Sequence, residues 1–337
     1  MMVYYFKEDI RNVTEMYYNI VLSALKKRGI LIKEIPSCSL HSVRQIPTNS
    51  YVFATTLKEF AYLYFTGHRK YIYWYQGIGP EEIYMLKGSK LRYKIDSFLE
   101  KRTLKTIRYK IGVSKYLFRH YEDKYHMAIE PSSVFIMPCF NSEMNKESFY
   151  SPHKYEYNVF CYAGGTQPWQ GFEEIVNLYK KIEDKRSDVC LKVYSKDLEE
   201  AKNTIETVGL RNYSIDCIPQ SQMDSALASC KYGFIIREDS IINNVATPTK
   251  LATYLGSGVI PIFSSSILSY RDLASRFKYL CCLNSKETEL DQINEYLKIE
   301  IKPEDVISEY DAIFKEYFNK EKYIEELSAF FKGIEKD

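Results

Sequence analysis

At 337 residues, 45% hydrophobic and 27% charged, the chain is long for one core and comfortable for two globular domains. No apolar run approaches the ~20 residues of a membrane-spanning helix, and the start MMVYYFKEDIRN lacks the charged-then-apolar order of a signal peptide, so a cytoplasmic location is expected. The net charge of +2 hides an asymmetry: residues 1–150 carry 23 Lys and Arg against 14 Asp and Glu (+9), and residues 151–337 carry 23 against 30 (−7).

The basic first half reads either as a solvated face or as a surface that approaches something anionic, such as a membrane or a phosphate-bearing acceptor. No basic block or RNA-binding motif points to nucleic acid. Eight scattered cysteines (38, 139, 161, 190, 217, 230, 281 and 282) form no C-x-x-C pair, which predicts buried thiols in a reducing compartment rather than a disulfide frame or zinc site. Five histidines (41, 68, 120, 126 and 153) lack metal-ligand spacing, and His120 reads as a surface residue.

In chain order, NVTEMYYNIVLSALKKRG predicts a helix that stops at Gly29, with Lys26, Lys27 and Arg28 against its negative end. SYVFATT, KYIYWYQGI, RYKIGVS and SVFIMPCF predict strands, separated by helices at LKEFAYLYF, around 90–105 and at KYLFRHYEDKYH. In WYQGIGPEEIYML, Trp74 and Tyr75 end a strand, Gly77 and Gly79 loosen the loop, and Pro80, Glu81 and Glu82 start a helix. Glutamates at a helix start are ordinary. The functional alternative places this loop on the acceptor side, with Gln76, Gly77 and Glu81 contacting a hydroxyl-rich ligand and the aromatic rings stacking on sugar faces.

Residues 141–157 are polar, break the periodicity and contain Pro152, which predicts a linker. A second series follows: strand NVFCYAGG, helix GFEEIVNLYKKIEDK, strand VCLKVYS, helix LEEAKNTIETVG, strand YSIDCIP and helix SQMDSALASC. The alternation predicts an α/β fold of two Rossmann-like domains with mostly parallel sheets facing a cleft, at 1–150 and 151–310. The segment 311–337 is expected to be helical and to pack back on the first domain.

The segment KYGFIIREDSIINNVATPTKLATYLGSGVIPIFS, residues 231–264, reads as strand, polar loop, helix and strand. Arg237, Glu238 and Asp239 fall at the carboxyl end of Tyr232–Ile236, the rim where open parallel sheets bind ligands. Thr247 is the expected N-cap and Pro248 the first helical position, so that the helix mouth and Lys250 favour an anion such as a diphosphate. The turn YAGGTQPWQGFEEI also follows a strand and opens a helix. Its Gly164 and Gly165 permit close backbone approach, although a tight structural turn is nearly as good a reading and the pattern is not G-x-G-x-x-G.

These segments resemble the GT-B glycosyltransferases, in particular the retaining nucleotide-sugar enzymes of family four. YAGGTQPWQGFEEIV looks like the loop and helix that open the donor domain, REDSIINNVATPTKLATYLGSGVIPI resembles the diphosphate and nucleoside site, and WYQGIGPEE is similar to a first-domain element of polysaccharide-assembling members. The resemblance implies a hexosyl transferase that takes a UDP- or GDP-linked sugar as substrate, needs no separate cofactor, and glycosylates a saccharide or lipid-linked saccharide in bacterial surface-polysaccharide assembly, with peripheral contact at the inner face of the membrane. It implies Arg237 and Lys250 as the catalytic cations on the leaving diphosphate, with Gly164, Gly165, Thr166, Gln170, Glu238, Asn244, Thr249 and Thr253 around the donor. No Asp-x-Asp motif occurs, so no metal is expected. The pattern departs from the family where two glutamates eight positions apart are replaced by Val245 and Thr253, and where a basic residue is replaced by Gln170. The alternative implied by those departures is an inactive GT-B subunit that binds a partner transferase.

Overall fold

The computed structural model describes residues 1–8, 10 and 14–336 of the chain and divides into two compact units, Met1–Pro138 with Asn319–Asp337, and Cys139–Phe318. The first unit holds β1 (Met2–Phe6), β2 (Leu31–Ile35), β3 (Tyr51–Ala54), β4 (Tyr71–Tyr75), β5 (Tyr109–Gly112) and β6 (Val134–Ile136) in the order β2-β1-β3-β4-β5-β6. The second holds β7 (Asn158–Ala163), β8 (Val189–Tyr194), β9 (Tyr213–Asp216), β10 (Tyr232–Ile235), β11 (Ile260–Ser264) and β12 (Cys281–Leu283) in the order β12-β11-β10-β7-β8-β9. Every strand pair is parallel. Such sheets need helices on both faces, and β3, β4, β5 and β10 are accordingly buried along their whole length.

Strand order fixes where a ligand can enter. In the second unit the order reverses between β7 and β10, and the crevice outside the strand ends at such a switch point is the usual ligand site of an open α/β sheet. The register sets Tyr232 beside Phe160 and Gly233 beside Cys161, so both strands run out at one rim.

Several expectations need correction. β1 and β2 were not predicted; β2 lies at the sheet edge and is mostly exposed, so its LIKEI sequence lacks the apolar run of a central strand. The first helix spans Glu15–Lys27, Gly29 follows it at φ 74°, and the expected positions 12 and 13 lie outside the described residues. The chain passes to the second unit after Pro138 rather than at 150, and returns at Asn319 rather than 311. Residues 141–157 are no free linker: the Asn145 amide donates to the Gly256 carbonyl at 2.8 Å, Phe149 is buried against Tyr310, and the Lys154 ammonium donates to the carbonyls of Leu227 and Ala228. Of the two last helices, Pro303–Tyr317 belongs to the second unit, whereas Lys320–Phe330 packs on Glu15–Lys27 in the first. No helix among the described residues is long and apolar enough to cross a membrane.

Candidate active site

Two loops of the second unit meet at its switch point. β7 ends at Ala163 and the chain turns through 164–171 into the Phe172–Lys185 helix; Gly171 sits at φ 63°, and a Cβ there would strike the Ile236 carbonyl oxygen, so only glycine lets this loop pass the end of β10. Gly164 has a different task. A Cβ on it would lie 2.5 Å from Cε and Nζ of Lys250, so its bare backbone makes room for that side chain.

Arg237 follows β10 and Lys250 opens the Lys250–Gly256 helix. Arg237 donates to the Trp169 carbonyl and, through Nη2, to Oε1 of Gln170 at 2.9 Å. Lys250 donates to the same Gln170 oxygen at 2.8 Å, and its Nζ stands 4.1 Å above the Tyr162 ring. Two cations thus converge on one neutral oxygen. Neither has a carboxylate partner among the described residues, and Nε of Arg237, which is 8% exposed, is buried with no hydrogen-bond partner. Burial lowers the Arg237 pKa, and burial together with the neighbouring guanidinium pushes the Lys250 ammonium well below the ordinary lysine range. Buried cations without acids are costly unless an anion completes them.

The expected helix start is corrected. Thr249, not Thr247, is the N-cap, and it makes no side-chain cap bond. The Thr247 hydroxyl instead accepts from the Cys139 amide at 3.1 Å. The helix that follows is 7 residues long, so the anion preference rests on the two side chains rather than on a helix dipole.

The remaining donor-side candidates scatter. Thr166 is held by Asp197 and Glu200, its hydroxyl donating to Glu200 at 2.6 Å, and the Gly165 carbonyl accepts from Tyr162. Thr253 donates to Asn141 Oδ1 and accepts from Ser142, so its hydroxyl is already engaged. Asn244 leaves its buried Oδ1 unpartnered. Glu238 and Arg237 line a cavity of about 560 Å³ beyond β10 and β11, walled also by Ser264, Ser265, Ser266, Arg271 and Asn284, while Gln170 and Lys250 stand outside its lining. Tyr162 was missed. Only the folded geometry shows that an aromatic ring ending β7 lies beneath the lysine.

In the first unit a cavity of about 540 Å³ opens at the carboxyl ends of β3 and β4, lined by Thr55, Thr56, Trp74, Gln76, Gly77 and Glu82 among others. Gln76 and Gly77 line this cavity, whereas Glu81 does not. Its carboxylate pairs with Lys124 at 2.7 Å, beside His120 at 3.5 Å, and Lys124 also bridges to the buried Glu100 at 2.8 Å. His120 thus belongs to an interior charge cluster, not to the surface. Of the adjacent glutamates Glu81 and Glu82, the one that lines the cavity is Glu82, whose pKa burial raises; Asp96 and Glu100 line it as well. The aromatic rings are not free to stack on a sugar: Trp74 packs on Tyr17 at 4.7 Å, and Tyr75 on Tyr73, Phe118 and Tyr121. Among the described residues no cluster of three or more His, Cys, Asp or Glu side chains is arranged to hold a metal ion.

No family model matches the chain, and no curated protein matches it in sequence. Solved structures do match in fold. Sucrose-phosphate synthase from Thermosynechococcus elongatus superposes with a TM-score of 0.70 at 10% identity, covering 100% of this chain and 99% of that one. Alr3699/HepE from Anabaena, solved with UDP and glucose, gives 0.69 at 11% identity over 97% and 98%. TarM from S. aureus, solved as a point mutant with Fondaparinux, alpha-GlcNAc-glycerol and UDP, gives 0.64 at 11% identity; the match covers 87% of this chain and 58% of TarM, so this chain spans little more than half of TarM's length. With two parallel six-stranded sheets and these likenesses, the chain has the GT-B fold of two Rossmann-like domains.

Proposed function

We propose that the chain is a glycosyltransferase that moves a sugar from a UDP- or GDP-linked donor to a saccharide or lipid-linked saccharide, in bacterial surface-polysaccharide assembly, at the cytoplasmic face of a membrane. One observation carries the reading: the buried Arg237 and the half-buried Lys250, neither with an acid beside it among the described residues, share the Gln170 oxygen at 2.9 and 2.8 Å. When the bond from the anomeric carbon to the diphosphate breaks, negative charge grows on the leaving group. Fixed cations in a water-poor site stabilise that charge without reorganising. Gln170 holds both side chains in place until phosphate oxygens replace its own as their acceptor. These two cations would supply what a metal ion otherwise does, so transfer is expected to survive chelation. The acceptor would occupy the first unit's cavity, with Gln76 and Glu82 receiving its hydroxyl protons in hydrogen bonds. The outcome at the anomeric centre is proposed to be retention, by resemblance to family four.

Support also comes from the solved structures: HepE and TarM were captured with UDP. Calorimetric titration with UDP- and GDP-sugars tests the reading. Binding that weakens on Arg237→Ala and on Lys250→Ala supports it. One observation favours a second reading, an inactive subunit that binds a partner transferase: the Thr253 hydroxyl is tied to Asn141 and Ser142, and Val245 is buried, so neither offers the carboxylate that the resemblance leads one to expect. Absence of any nucleotide binding at millimolar concentration decides for that subunit.

A further inference from the structure

The Lys90–Thr106 helix is turned inside out. Asp96, Glu100 and Thr103, spaced i, i+4 and i+7, are 4%, 3% and 0% exposed, whereas Leu91, Ile95 and Phe98, at the same spacing on the opposite face, are 71%, 49% and 56% exposed. The inversion has a physical cause. Glu100 accepts from Lys124 and from the Tyr125 hydroxyl at 2.6 Å, and Asp96 accepts from Arg92 at 2.7 Å, so the acids are satisfied where they lie. The face that an ordinary helix would bury is left outward.

The preceding Gly79–Lys87 helix packs against this one and also leaves Tyr84, Met85 and Leu86 exposed. Six of the sixteen large apolar side chains exposed among the described residues thus fall between positions 84 and 98, and the others are spread over the rest of the chain. Scattered exposed apolar residues are normal, but a contiguous patch marks an interaction surface.

Charge says what the surface meets. Over residues 84–106 there are seven Lys and Arg against two acids, and both acids are the buried Asp96 and Glu100. Lys87, Lys90, Lys94, Arg102 and Lys105 are exposed and make no ion pair among the described residues, and the Arg102 guanidinium stands 5.7 Å from the Phe98 ring. A protein interface is depleted in lysine, whereas a helix lying in a bilayer interface combines bulky apolar residues with a lysine and arginine border.

We infer that the outward face of the Lys90–Thr106 helix, with Tyr84, Met85 and Leu86 beside it, docks in the plane of an anionic lipid bilayer. Leu91, Ile95 and Phe98 enter the acyl boundary while the bordering lysines meet lipid phosphates. This rests on the peripheral-membrane part of the function proposed above, and does not depend on which sugar is transferred.

Flotation of the full chain with vesicles tests it, using phosphatidylcholine alone and phosphatidylcholine with about 30% phosphatidylglycerol, a membrane of strongly negative surface potential. The wild-type chain is expected to float with the anionic vesicles and to be partly released by high salt. Ile95→Ser/Phe98→Ser should lower its partition coefficient at least about tenfold, and Lys90→Glu/Lys94→Glu/Lys105→Glu about a hundredfold. All of these positions are exposed, so the melting temperatures should match that of the wild type; should the apolar variant fail to fold, the charge variant alone decides. A wild-type chain that floats with neither vesicle overturns both the docking face and the peripheral-membrane reading. Variants that float as well as the wild type overturn the face alone, as does a solution dimer that Phe98→Ser dissociates, since a second copy would then cover it.

Discussion

Replacing Lys250 with methionine should make the protein more stable and less able to bind nucleotide. The Arg237 and Lys250 nitrogens bonded to one oxygen at 2.9 and 2.8 Å lie within about 6 Å of each other, which at an effective dielectric constant of about 20 is roughly 3 kcal/mol of repulsion. Methionine removes that term and the desolvation of the ammonium, and its unbranched thioether follows the path of the lysine stem. Against this stand a charge-assisted hydrogen bond of about 1.5–3 kcal/mol and a cation–π contact with Tyr162 of about 1 kcal/mol. A net gain of about 1–2 kcal/mol follows, equivalent to a melting temperature higher by about 2–8 °C for a unit of this size. Scanning calorimetry without ligand reads it directly. The same substitution removes one charged contact to a diphosphate, so UDP or GDP should bind about 10- to 150-fold more weakly. A Lys250→Met chain that melts lower than the wild type and binds nucleotide equally well refutes the reasoning, because the lysine would then be a structural residue.

Gly164→Ala tests the same geometry from the other side: the new Cβ displaces the flexible end of Lys250 rather than backbone, so circular dichroism should report an intact fold while nucleotide affinity falls about tenfold. The depressed Lys250 pKa implies that the unfolded chain holds more protons than the folded one from that lowered value up to the usual 10.5, so stability of the free protein rises with pH across this window. A diphosphate beside Lys250 favours its charged form, so nucleotide affinity is expected to fall as pH rises across the same window, and an affinity independent of pH contradicts this. For Glu82 the folded pKa is raised, so stability falls as pH rises from the usual 4.5 to the raised value; Glu82→Gln should therefore stabilise the chain at neutral pH while slowing transfer to acceptor, and an unchanged rate removes Glu82 from the acceptor site. Because the Thr253 hydroxyl is occupied and no carboxylate replaces it, ribose should be read weakly. A 2′-deoxy nucleoside diphosphate is expected to bind within about threefold of the ribose form, well under the tenfold that a hydrogen bond to a charged group typically supplies.

Much of the architecture was legible because alternation is a local signal. Apolar β-branched and aromatic runs such as Tyr232–Ile236 between helical stretches specify a parallel sheet, and the abrupt start of charge at Arg237 marks the end of a strand. What escaped was non-local. Gln170 read as a lost phosphate partner, yet it is the oxygen on which side chains 67 and 80 positions away converge. Glu81 and Glu82 are equivalent in sequence, and only the packing of Lys124 onto Glu81 separates the structural acid from the one that faces the cavity. The helix around 90–105 was visible as a helix, but its inward face was not, since hydrophobic periodicity assumes that apolar residues point in. The last helix was expected to return to the first domain, but the residues at which the chain crosses, after Pro138 and at Asn319, depend on contacts distant in sequence and were not legible.

Two of the groups of buried charge among the described residues differ in how far opposite charge satisfies them. In the first unit Glu81 and Glu100 both pair with Lys124, and Tyr125 donates to Glu100, so each buried charge has an opposite charge beside it. Its role is packing, and its consequence is the outward turn of the Lys90–Thr106 helix. In the second unit Arg237 and Lys250 have only a carbonyl, an amide oxygen and an aromatic face between them, none of which carries a formal charge. Selection for stability alone would place an acid there or remove a cation, since either change lowers the free energy of the empty fold. Lys110 and Lys154 are also buried without an acid, but each is alone and bonded to carbonyls; two cations converging on one oxygen at the switch point of a parallel sheet are what the proposed function assigns to the leaving diphosphate.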